Sequence, residues 1–428
     1  MAKSKFERLP GFRDFPPEDL AAIRSIFHAW RTVSGRYGFS EYAGPPLEML
    51  DLYVEKSGEE IIRQLYNFAD KGQREIALRP EMTPSLARIL AGRHRAMAKP
   101  IRWFSVPQLF RYERQQRGRL REHFQWNVDI VGEPGVGADV EVLAVALDGL
   151  RELGLTEKDI IARVSDRELM TQMFMVLGVL PEKIPTVFAI IDKMERTKVS
   201  RSMDRLCDEG RLEREIAEKV IEICYVDEID ALRQKFKESS RVIERLDTLE
   251  IYLESLVAMG LGPYVQFDPK IVRGLAYYTG IVFEIFDRDG DLRAICGGGR
   301  YDRLLELVGG DPLPAVGFGM GDVVVGELLR IRKLYLSEND KIDLYLVIVG
   351  EDQRSLALKI AHNQREKGRT VLYGFRSESM GKQLEAASKT GASQVIILAP
   401  EELKRNLVVS KNMETGEQSE MSLEVFTS

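Results

Sequence analysis

The residues with the most chemical content lie between Leu109 and Gly132, in LFRYERQQRGRLREHFQWNVDIVG. From Arg111 to Arg121, five arginines stand against one glutamate, Glu113, in a chain whose formal net charge is −6. Guanidinium groups at this density suit a polyanion, because each offers a planar fork of donors to phosphate or carboxylate. A nucleoside triphosphate, a nucleic-acid end, or both fit such a cluster. The segment reads as strand, basic loop, strand. In FQWNVDIVG the side chains alternate between faces. Phe124, Trp126, Val128 and Ile130 point one way; Gln125, Asn127 and Asp129 point the other. Paired as a hairpin, the two strands would set Arg111 and Glu113 beside those amides and that carboxylate. The plainer reading of the same alternation is a solvated face of an antiparallel sheet.

The elements that must position this segment follow from pattern. Leu20, Ile23, Phe27 and Trp30 recur at helical spacing over 18–38, and Gly38 stops that helix. FSEYAGPPLEML reads as a strand broken by Pro45 and Pro46. In LRPEMTPSLARILA, Thr83 suits an N-cap with Pro84 at the first helical position. DVEVLAVALDGLRELGL is a further helix. From 165 to 258 the sequence turns to charged amphipathic helical patterns, read as a helical module inserted in a β-rich domain. Strand signals return in VQFDPKIV and TGIVFEIFD. ICGGGRYDRLLELVG and PAVGFGMGDVVVGELL each join a strand to a helix through glycines. Beyond 335 a βαβα pattern marks a small α/β domain with a parallel sheet.

Bulk properties narrow the class. The 428 residues exceed one ordinary core, so two to four domains are expected. No apolar run is long enough to span a bilayer, and MAKSKFERLPGFRDFPPEDL has no hydrophobic centre of a signal peptide. Cys207, Cys224 and Cys296 are scattered and odd in number, which points to a reducing compartment without a disulfide framework. The four histidines lack zinc-ligand spacing. The acidic net charge restricts any nucleic-acid contact to local patches.

PGFRDF near the start, RPEMT at 79–83, FRYER…RGR at 110–119, VRGLAYYTG at 272–280, GGGRYD at 297–302 and SMGKQL at 379–384 together resemble the histidyl-tRNA synthetases, a family of class II aminoacyl-tRNA synthetases. VRGLAYY and GGGRYD carry the histidine-specific part of the likeness. The resemblance implies an α+β fold: a class II synthetase-type antiparallel sheet catalytic domain (1–164 and 259–333) with a helical insertion (165–258), plus a C-terminal α/β anticodon-binding domain (336–428). It implies ATP-dependent activation of L-histidine to histidyl-adenylate and transfer to the 3′ end of tRNA(His), with ATP and Mg²⁺. It further implies a cytoplasmic homodimer, joined through the first motif around Pro45.

Residue by residue, the resemblance places Arg111 and Arg273 on the α-phosphate as catalytic groups. Glu113 meets the adenine amino group and Arg119 the outer phosphates. Asp129 and Tyr278, with Tyr277 beside them, grip the imidazole. Glu81, Thr83 and Gln125 face the α-amino group, and Gly298, between Gly297 and Gly299, lets the backbone approach the ring. Gly319 and Gly321 belong to the ATP-binding third motif. Arg114, Gln115, Gln116 and Arg117 approach the tRNA acceptor end. Arg376, Lys382, Lys404, Arg405 and Lys411 supply basic charge to the C-terminal module. No side chain is assigned to a metal. Plainer readings stand beside these: a surface ion pair for Arg273, a strand-end charge for Arg121, a helix cap for Thr83, core packing for the tyrosines. The chain departs from the pattern twice. Val324 stands where the third motif carries the arginine that stacks on adenine, after Asp322 and Val323. His123 stands where an aromatic ring covers adenine's other face. Two other functions compete: a non-catalytic histidine-sensing paralogue, and a class II synthetase for another amino acid.

Overall fold

The computed structural model describes residues 6–54, 64–114, 116–273, 277–303, 305–335 and 342–427. Gln115 and the Gly274–Ala276 part of VRGLAYY therefore lie outside the described residues. The chain forms two compact units, 1–336 and 337–428.

In the first unit, nine described strands form a mixed, mainly antiparallel sheet. From one edge its order is Ser40–Glu41, Ile101–Ser105, Glu122–Val131, Ala315–Gly321, Cys296–Arg300, Ile281–Asp287, Ile160–Asp166 and Val265–Phe267. Only the two outermost pairs are parallel. Gln108–Phe110 pairs with the start of the Glu122–Val131 strand. The alternation in that strand divides core from site. Trp126, Val128 and Ile130 are buried in the main apolar cluster with Val142, Leu143 and Ala146 of the helix Gly137–Glu152. Asn127 and Asp129 on the other face are also buried, so this face is not the solvated one the plain pattern allows.

The first helix, Pro17–Arg36, has proline in its opening turn and buries Ile23, Ile26 and Trp30; the chain then turns at Gly38, φ 72°. Pro45 and Pro46 separate two strands that join different sheets. Ser40–Glu41 joins the main one, and Leu47–Met49 pairs with Glu75–Leu78 in a three-stranded sheet. Between 167 and 258 the described regular structure is helical. These helices do not enclose a core of their own. Leu169, Met173, Leu246, Tyr252 and Leu256 belong to the same apolar cluster as Trp126. Three local readings change. Met82, not Thr83, occupies the cap position of the helix Thr83–Ala91, and no side chain caps it. Arg111 and Glu113 lie beyond the paired part of the hairpin, because the first strand ends at Phe110. After GGGRYD the described chain makes only a 3-10 turn, Glu306–Val308, where a helix was expected.

In the second unit, Ile342–Ile348 pairs in parallel with Val371–Tyr373 and Ala392–Leu398. Two antiparallel strands, Leu407–Asn412 and Gln418–Ser422, extend the sheet, so it is mixed rather than parallel throughout. Leu344 and Leu346 pack with Ile360 and Ala361 of the helix Arg354–Glu366. Tyr345 and Val347 join the cluster holding Ala387 of the helix Met380–Lys389. Apolar residues on both strand faces are what helices on both sides require.

Candidate active site

Strand register builds the site. Gln125, Asn127 and Asp129 lie opposite Gly321, Gly319 and Gly317. Gly319 and Gly317 lie opposite Gly297 and Gly299, which lie opposite Glu284 and Val282. One sheet face is thus stripped of side chains across two strands, and polar groups from either side lean into the gap. A Cβ on Gly317 would collide with Asp129 Oδ1 and lie 2.5 Å from the Tyr301 hydroxyl and 2.6 Å from the Val128 carbonyl oxygen. One on Gly319 would lie 2.8 Å from Gln125 Cδ, and one on Gly297 would strike the Arg273 guanidinium. Gly298 faces the other way, toward Phe283 and Phe318. Its flanking glycines, not Gly298 itself, clear the site face. Gly317→Ala is expected to lower stability by about 1–3 kcal/mol through overpacking and to displace Asp129. Thermal denaturation and histidine-dependent ATP–pyrophosphate exchange would both report it.

Asp129 sits at the deep end of this floor. The Tyr301 hydroxyl donates to its Oδ1. Burial pushes its carboxyl up to about 7, against the lowering effect of that hydrogen bond. Tyr301 meets Tyr277 edge-on at 5.8 Å between centroids, and the rings of Tyr277 and Tyr278 lie 4.9 Å apart. Glu81 is buried beside this group, and burial raises its pKa while the charge of Arg111 opposes the shift. Thr83, two residues on, has its hydroxyl uncommitted to capping. Tyr301 is one residue missed by sequence reasoning, although GGGRYD contains it. Its signal was an aromatic two residues past glycines that face the site.

Arg273 closes the floor at Gly297. Its backbone is left-handed, φ 53°, a sparsely populated conformation for a non-glycine residue. Arg167 Nη1 donates to the carbonyls of Val272, 3.2 Å, and Arg273, 3.0 Å, and so holds this backbone. Arg273 Nη1 pairs with Glu284, and its guanidinium lies 5.7 Å from the Tyr278 ring centroid. Burial works against its charge, but Tyr278 and Glu284 outweigh it and the pKa is raised. Its Nε is buried without a hydrogen-bond partner among the described residues. The group is not a surface ion pair.

Arg111, Glu113, Arg119, His123, Gln125, Arg273, Gly319 and Gly321 all line one cavity of about 330 Å³. Arg111 Nε donates to the Pro80 carbonyl at 2.8 Å. Glu113 is buried and paired with Arg119. His123 is held neutral: burial, then the charges of Arg111, Arg13 and Arg119, lower its pKa to about 3. Val324 lines the same cavity. Asp322 is buried, receives the Phe124 N–H at 2.8 Å and pairs with Arg13 Nη1 at 2.8 Å. Arg13 Nε also pairs with buried Glu122 at 2.6 Å. Arg13 thereby ties the third-motif helix, Asp322–Ile331, to the basic-loop strand; sequence reasoning gave it no role. Arg114, Gln116 and Arg117 are exposed, with Gln116 bonded to Arg293 and Arg117 to Glu327. In the second unit Lys404 pairs with Glu401 and Arg405 with Glu420 at the surface. Arg376 and Lys382 are exposed, and Lys411 is half-buried.

An antiparallel sheet with a glycine-cleared face, a basic hairpin loop and a glycine-ended strand leading into a helix is the class II aminoacyl-tRNA synthetase arrangement. The family model for histidyl-tRNA synthetase matches residues 11–321, and that for the anticodon binding domain matches 343–428. A histidine–tRNA ligase of Opitutus terrae is 41% identical over 98% of this chain and 96% of its own. The chloroplastic/mitochondrial histidine–tRNA ligase of Arabidopsis thaliana is 38% identical over 96% of this chain and 84% of its own. The crystal structure of histidyl-tRNA synthetase from Nostoc shares the fold, with a TM-score of 0.82 at 24% identity, covering 99% of this chain and 98% of that one. The chain belongs to the histidyl-tRNA synthetase family.

Proposed function

We propose that this protein activates L-histidine with ATP and transfers it to the 3′ end of tRNA(His). The observation that carries this reading is that Arg111 and Arg273, from distant parts of the chain, line one cavity with Gly297 and Gly319, while Gly317 of the same cleared strand packs against Asp129. In the first step a histidine carboxylate oxygen bonds to the α-phosphorus as the bond to pyrophosphate breaks. Two preorganised guanidinium groups stabilise the negative charge that develops there. Asp129 accepts an imidazole N–H, and binding of that donor favours its ionised form. Tyr301 already donates to the other side of the carboxylate, and Tyr277 and Tyr278 wall the ring. Glu81, Thr83 and Gln125 receive the α-amino group. His123 lies flat on adenine as a neutral ring, with Glu113 at its amino group.

A Mg²⁺ bound with the triphosphate would be held by phosphate oxygens, the ligands a hard dication takes, and would offset their negative charge. Among the described residues no cluster of three or more His, Cys, Asp or Glu side chains could hold a metal ion. Arg114, Gln116 and Arg117 meet the tRNA acceptor end. The second unit reads the anticodon, with Phe375, 88% exposed beside Arg376, as a stacking platform. A homodimer forms through the first motif, next to a three-stranded sheet that exposes Leu47, Met49 and Phe68. Its working place is the cytoplasm; no described helix is long and apolar enough to cross a membrane.

Histidine-sensing without catalysis is disfavoured because both arginines are retained and the anticodon-binding match is present. The deciding experiment is ATP–pyrophosphate exchange with a panel of amino acids. Stimulation by histidine alone is expected. No stimulation, or stimulation by a different amino acid, would overturn the reading.

A further inference from the structure

His123 lines the cavity of Arg111 and Arg273 with Val323 and Val324, and of these three it alone offers a flat ring to a base. A ring stacks well only where its backbone is fixed. The long ladder with Ala315–Gly321 ends at the pair Gly321–Gln125. From Glu122 to Phe124 the strand pairs with the three-residue strand Gln108–Phe110.

Two carboxylates take over where the long ladder stops. Asp322 Oδ1 accepts the Phe124 N–H at 2.8 Å, standing in for a strand carbonyl, and Gln108 Nε2 donates to Glu122 Oε2 at 2.9 Å. Arg13 joins the two: its Nε donates to Glu122 at 2.6 Å and its Nη1 to Asp322 at 2.8 Å. The residues on both sides of His123 are thus fixed to one guanidinium. Both carboxylate side chains are 1% exposed, so water competes little for the fork. Other residues of the N-terminal segment follow the same strand. The Arg121 N–H donates to the Gly11 carbonyl at 2.9 Å, and the Phe15 ring packs on Phe124 at 6.1 Å between centroids. Gly11, Arg13 and Phe15 therefore meet Arg121, Glu122 and Phe124 in turn, as a strap laid beside the strand. Gly321 closes in on the ring: a Cβ on it would lie 3.9 Å from His123 Cδ2.

Resting on the reading of His123 as a wall of the adenine slot, we propose that Arg13 is a positioning residue for ATP, acting through His123 by fixing the backbone on either side of its ring. The N-terminal segment then serves the nucleotide site through the strand beside it.

The test is a double-mutant cycle on the full-length protein: wild type, Arg13→Ala, His123→Ala and the pair, read as the KM for ATP in histidine-dependent pyrophosphate exchange. Each single change is expected to raise that KM by about 10-fold, the scale of one lost base stack, and to leave the KM for histidine at its wild-type value. In the His123→Ala background, Arg13→Ala is expected to add less than about twofold, because the ring it positions is gone. Arg13→Ala strands two buried carboxylates, so its folding is checked by melting. Arg13→Gln combined with Glu122→Gln and Asp322→Asn removes the guanidinium without leaving a buried charge, and is read in the same cycle. An unchanged KM for ATP in the folded Arg13 variants overturns the proposal. An equal rise with and without His123 also overturns it, because that pattern marks a role independent of the ring. An unchanged KM for ATP in His123→Ala alone would remove His123 from adenine, and the proposal with it. Failure of the wild-type protein to catalyse histidine-dependent exchange would instead sink the functional reading itself.

Discussion

Arg273→Ala will lower histidine-dependent ATP–pyrophosphate exchange by about 100-fold or more, the scale of losing a preorganised charge contact to a transition state. The expectation rests on how much structure is committed to this side chain. Its backbone is left-handed, Arg167 braces the carbonyls of Val272 and Arg273, and Gly297 leaves room for the guanidinium. Arg273→Lys should recover little, because a point ammonium cannot both keep Glu284 and present a second donor in the same plane. The loss should fall mainly on kcat rather than on the KM for histidine, since the contact strengthens as charge develops. Exchange at the wild-type rate would remove Arg273 from the chemistry. A collapse in melting temperature without a kinetic effect on the folded fraction would make it structural only.

Asp129→Asn is expected to do two opposite things. The carboxyl is raised from 3.8 to about 7, chiefly by burial. A group raised in this way favours the folded state while it is protonated. That contribution is complete below its unfolded pKa and is lost as pH rises from about 4 to about 7. At pH 8 the native protein holds a buried carboxylate at a cost on the order of 4 kcal/mol, taking about 1.4 kcal/mol per unit. Asparagine removes that charge and can still accept from Tyr301. The variant should therefore melt higher than wild type at pH 8 and about equally at pH 4. Histidine activation should fall by about 100-fold or more, because the pocket loses its anionic acceptor for the imidazole. Equal melting at pH 8 would show that the carboxyl is not perturbed. Full activity would show that the ring is held elsewhere.

Local sequence carries some of this site and hides the rest, for physical reasons. The alternation in FQWNVDIVG separates a core face from a polar face, because a strand has a period of two. It does not say whether the polar face meets water. That depends on what covers it, and here Tyr301, itself packed against Tyr277 and Tyr278, does so at Asp129. Hairpin register could not be read either. Arg111 lies one residue past the last ladder pair, opposite Arg121 rather than beside Asp129. Which of three successive glycines faces the site follows from pairing with the neighbouring strands, so Gly297 and Gly298 looked alike until the sheet was assembled. Arg13 was invisible for a related reason: its partners, Glu122 and Asp322, are 109 and 309 residues away. In the second unit, LVVSKN and QSEMS are short and mostly polar. They lack the continuous apolar run that marks the buried parallel strands, so the βαβα pattern does not include them.

The helices between 167 and 258 share their interior with the sheet that bears the site. Asp166, at the end of a sheet strand, caps the first of them through the Leu169 N–H and pairs with Arg245 of the last. Arg167 of that first helix is also the residue that braces Arg273. Removing this stretch is consequently expected to strip packing from the sheet and support from Arg273. Tyr252 lies in the same buried cluster as Val272, the residue before Arg273. Substitutions in these helices are therefore expected to be felt at Arg273 through Asp166, Arg245 and Arg167.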